Sequence, residues 1–107
     1  MANNYKNAKL DLTSTSVTTL YTAPDATTSI VKSIIVSEDS GNADTITVTI
    51  TNASAAVFSL FKVKAVGANT TVELLTAPLV VEEGEIIKVT AATANRLHVV
   101  ASILEIS

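Results

Sequence analysis

A chain of 107 residues is the length of one domain and is expected to bury roughly 65% of the surface its unfolded form exposes, enough for a core without covalent staples. It has no cysteine, which excludes disulfides and thiolate–zinc chemistry. Its net charge of −3 and seven scattered Lys and Arg argue against nucleic acid as a partner, and no apolar run approaches the roughly 20 residues of a membrane-spanning helix.

The opening segment, MANNYKNAKL at 1–10, has no alternating pattern and no apolar stretch behind its lysines, so it reads neither as a strand nor as an export signal. It is expected to be an extended N-terminal arm, with Tyr5 as an anchor and Lys6 and Lys9 meeting acidic surface on a neighbour. Residues 11–107 then form a single domain, made in the cytoplasm of its host.

From residue 13 onward Thr, Val and Ile dominate, and side chains stiff at the β-carbon suit a pleated surface. Strands are predicted near 9–13, 17–22, 28–37, 45–51, 56–65, 71–76, 79–82, 85–91 and 97–106. TITVTIT at 45–51 alternates most cleanly, with Ile46, Val48 and Ile50 on one face and threonines on the other. Turn chemistry at SEDSGNAD, TNASA, GAN, EEGE and ATAN breaks the runs about every ten residues. The fold class that follows is all-β: an antiparallel two-sheet β-sandwich of about eight strands, a jelly roll or a related Greek key.

Two strands are apolar on both faces. In AVFSLFKVK at 56–64, Val57, Phe61 and Val63 share a face with Ser59, while Phe58 and Leu60 lie on the other. LHVVASILEI at 97–106 sets Leu97, Val99, Ala101 and Ile103 against Val100 and Leu104. A small sandwich has one interior, so the second-face residues Phe58, Leu60, Val100 and Leu104 need cover from elsewhere. The expected cover is a second copy, most simply in a homotrimer, with loops or the N-terminal arm as the alternative cover.

The residues that could carry chemistry are few. Glu82, Glu83 and Glu85 crowd around Gly84, the ordinary composition of a solvated hairpin end, and lack the Asp-x-Asp spacing of a calcium loop. His98 is the only histidine, with Arg96 its nearest charged neighbour, and neither a triad nor a zinc site can be completed around it. No serine sits in a G-x-S-x-G elbow, and the three glycines are too far apart for a phosphate loop. Four aromatics and no tryptophan make a poor sugar platform. No catalytic residue, metal or cofactor is expected.

Three stretches together carry a resemblance: TTLYTAPDATTSIVKSIIVSED at 18–39, DTITVTIT at 44–51, and ELLTAPLVVEEGEIIKVTAATANRLHVVASILEI at 73–106. They resemble the small β-sandwich virion proteins of tailed bacteriophages, over nearly the whole chain after residue 16. The resemblance implies a non-enzymatic structural role in a virion, as a capsid decoration or cement protein docked on the major capsid protein. A neck, tail or fibre component, or a displayed carbohydrate- or receptor-binding module, is the alternative.

Overall fold

The computed structural model describes residues 2–107, and among them every regular element is a strand. In chain order these are β1 (Asn3–Asp11), β2 (Thr18–Thr22), β3 (Thr28–Glu38), β4 (Asp44–Thr51), β5 (Val57–Val66), β6 (Thr71–Glu73), β7 (Leu79–Val81), β8 (Ile86–Ala91) and β9 (Leu97–Ile106). One sheet runs β1-β9-β3-β6, with β7 also on β3, and the other runs β2-β8-β4-β5. The expected sandwich is therefore present.

Its logic is a single two-stranded ribbon. The β4·β5 hairpin is the closed end, and the pairs β3·β6/β7, β2·β8 and β1·β9 follow outward from it. Rolling the ribbon brings β3 against β9 and β4 against β8, which completes both sheets. That is the strand order of a jelly roll with eight positions, the sixth of which, the third counted backward from β9, is filled by β6 and β7 together. Pro78 has no N–H to donate, and after Leu74, which still donates to the Ile34 carbonyl at 2.9 Å, the segment 75–78 departs from the ladder between the two short strands.

The ribbon stays paired where it crosses from one sheet to the other. At the first crossing Leu12 donates to the Leu97 carbonyl at 3.0 Å, and Asn95 donates to the Leu12 carbonyl at 2.9 Å. At the second, Ala23 donates to Glu85 at 3.0 Å and Gly84 to Ala23 at 3.1 Å. Gly84 takes φ +79°, a conformation that side chains disfavour. At the third, Glu38 donates its N–H to the Thr70 carbonyl at 2.9 Å, and its carboxylate accepts the N–H groups of Ser40 (2.9 Å), Gly41 (3.1 Å) and Asn69 (3.0 Å) and the Ser40 hydroxyl.

Between the sheets lie the inward residues of each strand. Val31, Ile34 and Val36 of β3, Val99, Ala101 and Ile103 of β9, Ile46 and Val48 of β4, and Ile87 and Val89 of β8 are all buried. One end of the interior is polar: the Tyr21 hydroxyl bonds to Ser29 Oγ at 2.7 Å and donates to Glu105, joining the sheets. Burial and the adjoining carboxylate push the Tyr21 hydroxyl up to about 12.

Three expectations are corrected. Residues 3–10 do not stand apart as an arm, because β1 starts at Asn3 and pairs with β9 from Asn3↔Ile106 to Asp11↔His98. The segment lacks alternation because it is an edge strand whose inward side touches the core only through Ala8 and Leu10. EEGE is not a hairpin end, since β7 and β8 belong to different sheets and residues 82–85 cross between them. In β5 the bulges opposite β4 break strict alternation, so Leu60 packs on the core while Val57 and Val63 are exposed.

Deleting residues 2–8 is thus expected to lower the melting temperature of the isolated protein, where an independent arm would leave it unchanged. A second expectation concerns acid. Burial raises the Glu38 pKa, but the bonds from Ser40, Asn69 and Gly41 outweigh this and hold it at about 2. A carboxylate held below its unfolded value, about 4.3, contributes stability above that pH and loses it as pH falls toward 2. Melting curves between pH 5 and pH 2 should show this loss, and Glu38→Gln should be less stable at neutral pH with a shallower decline.

Candidate interaction surface

The outward face of the β1-β9-β3 sheet is built by register. Residues directly opposite one another in a ladder share a face, and this places Tyr5 of β1, Leu104 of β9, Ile30 of β3 and Val80 of β7 in one row across four strands. Tyr5 is 71% exposed and Val80 54%, with Leu104 and Ile30 half-buried between them. A second row sets Lys9 beside Val100 and Ile35, and both of those apolar side chains are exposed. Between the rows lie Asn7, Ser102 and Ser33. Lys32, at the bulge in β3, holds its ammonium 5.7 Å from the centre of the Tyr5 ring.

The structure brings together four of the seven residues predicted from sequence: Tyr5, Lys9, Val100 and Leu104. Lys6 turns to the inward side, where its ammonium lies 3.5 Å from the Glu105 carboxylate. Phe58 is 53% exposed but sits in the other sheet, opposite Ile50, and Leu60 packs on the core. Sequence reasoning missed Ile30, Ile35 and Val80. For Ile30 and Ile35 the signal was present in IVKSIIV, which is apolar on both faces, but the bulge at Lys32 shifts the alternation and hides it.

Two of the remaining candidates tie backbone segments in place. Glu83 accepts the Ala26 N–H at 2.8 Å, tying two crossing loops, and Glu85 accepts the Glu82 N–H at 2.8 Å. His98 lies between Asp11, 3.3 Å from Nε2, and Asp39, 3.7 Å from Nδ1. The two carboxylates are on opposite sides of the imidazole, so they do not converge on a common point. Among the described residues no group of three or more metal-ligating side chains converges, and no helix is long and apolar enough to cross a membrane.

No family model and no curated protein matches the chain. Among solved structures, a protein of Bacillus endospore appendages, described as forming a novel family of disulfide-linked pili, matches 99% of this chain and 87% of its own. The identity is 7% and the TM-score 0.59. A protein of infectious bursal disease virus, Gt strain, aligns over 98% of this chain and 30% of its own, at 9% identity and a TM-score of 0.49. The likeness to the appendage protein is one of fold.

The two glutamates that bond to backbone are expected to differ from the one that does not. Glu83→Ala should cost about 1 kcal/mol in chemical denaturation, the usual worth of such a bond, and Glu82→Ala well under that. Added calcium should leave the melting temperature unchanged. A rise of several degrees would identify an ion site at this crossing.

Proposed function

We propose that the protein is a non-enzymatic structural subunit that acts by repetition, self-associating through the outward face of the β1-β9-β3 sheet. The row Tyr5–Leu104–Ile30–Val80 carries this reading. It exposes apolar surface on the side of a sheet that faces away from the core, where a sandwich gains nothing from it. The fold supports it in general terms, since the appendage protein that shares it belongs to pili. Those pili are disulfide-linked, whereas this sequence has no cysteine, so copies of this chain would be held by noncovalent contacts.

The finer reading rests on the sequence resemblance. We place the protein in the virion of a tailed phage as a capsid decoration or cement protein, a homotrimer docked on the major capsid protein, with neck, tail or fibre as the other location. A displayed glycan-binding module is the second reading. It is favoured by one observation, a hollow of about 370 Å³ lined by Tyr5, Asn7, Lys32 and Ser102, which offers an aromatic ring beside polar groups.

Leu104→Asp puts a charge at the centre of the apolar row. It is expected to convert the oligomer to monomer in light scattering at tens of micromolar while leaving the melting temperature within a few degrees. A wild-type protein that is already monomeric, and does not enter particles, would overturn the proposal. Micromolar binding on a glycan array with loss in Tyr5→Ala would favour the second reading.

A further inference from the structure

The four sheet edges are not alike. The β5 edge is interrupted by two bulges, carries Lys62 and Lys64, and holds Val63 at φ +52°, a conformation foreign to a β-branched residue. The β2 edge is five residues long with a register shift between Thr19 and Tyr21. The β6/β7 edge is two three-residue strands with Pro78 between them. Bulges, lysines and breaks are the devices that keep an edge from pairing. β1 has none of the bulges or breaks: its nine residues pair with β9 in unshifted register, and among the described residues no strand covers its other side.

From this we infer that β1 is an assembly edge, on which the β1 of a second copy pairs antiparallel about a twofold axis at Asn7. The occupant follows from bonding parity and charge. Ala2 and Ser107 exchange both backbone bonds, at 2.8 and 3.0 Å, and Leu12 donates to Leu97. Bonded pairs alternate in an antiparallel ladder, so the even residues of β1 bond to β9 and the odd residues direct N–H and C=O outward.

A pairing centred on Asn7 matches those odd residues to one another: Asn3 to Asp11, Tyr5 to Lys9, Asn7 to itself. It uses the full strand and forms up to about ten bonds. Lysine never meets lysine, and Lys9 of one copy is set beside Tyr5 of the other. Moving the centre to Lys6 would oppose two lysines, and moving it to Ala8 would leave Asn3 and Asn4 unpaired. The two outward faces become continuous, so the apolar rows of both copies lie on one surface. This inference rests on the self-association proposed above but not on the trimer.

The test uses the cysteine-free chain. Asn7→Cys places one thiol against its own copy at a Cα separation of about 5.5 Å, within the range a disulfide spans. Mild oxidation is expected to give a covalent dimer, and Asn4→Cys, whose partner would be Leu10, is expected to give none. Asn7→Pro removes an N–H that points away from β9, so the intrachain ladder should survive, with a near-native melting temperature, while the edge contact is lost in light scattering. If Asn7→Pro unfolds, the cysteine pair decides. An oligomeric wild type whose Asn7→Cys form fails to cross-link, or cross-links no more than Asn4→Cys, overturns the edge pairing and leaves assembly through the outward face standing. Retention of the wild-type oligomer by a folded Asn7→Pro also overturns it.

Discussion

The structure depends on β9 being held from both sides. Its ten residues pair with β1 along one edge and β3 along the other. Its inward side chains Leu97, Val99, Ala101 and Ile103 are almost fully buried against the opposite sheet. Each such aliphatic side chain is worth about 1.5–3 kcal/mol when taken from water, but only while the ladders keep alternate residues inward. A shift of one residue would turn Leu97, Val99 and Ile103 outward and draw His98 and Val100 in. The crossings guard against that shift, because the Leu12–Leu97 bond and the Asn95–Leu12 bond fix the strand at its start.

Polar groups inside the sandwich follow the same demand for partners. Tyr21 reaches from one sheet to Ser29 and Glu105 on the other, and Lys6 approaches the same carboxylate from the edge strand. A buried carboxylate without such partners would cost several kcal/mol. Glu73 plays a comparable part where β6 ends. Burial raises its pKa, but the Ser33 hydroxyl and the N–H groups of Ile34 and Leu75 outweigh that and lower it. Buried or edge carboxylates therefore act here as turn caps and sheet ties.

Much of the sandwich was legible in the sequence because alternation is a local property. TITVTIT and LHVVASILEI announce one inward face each, and both lie within a residue of the strands found. What was not legible is set by contacts distant in the chain. The N-terminal strand has almost no apolar face of its own and exists because β9 offers it a ladder. The bulges in β3 and β5 change which face a side chain takes without leaving a mark in composition, and this misplaced Leu60, Val57 and Val63 and concealed Ile30 and Ile35. Of the surface residues, Tyr5, Lys9, Val100 and Leu104 could be named beforehand. That they form one patch with Val80 required the register.

The nested ribbon also dictates an order of events in folding. The β4·β5 hairpin closes over a short loop, whereas β1 waits for β9, at the far end of the sequence. Contacts so distant are slow to form, since loop-closure entropy is lost before the ladder compensates it. During synthesis β1 therefore precedes every other strand described and is satisfied last, an extended polar segment without its sheet until β9 has left the ribosome. Its scarcity of apolar residues suits that wait: Asn3, Asn4, Lys6, Asn7 and Lys9 keep the idle strand hydrated where a Val-rich one would seek the nearest unfolded neighbour.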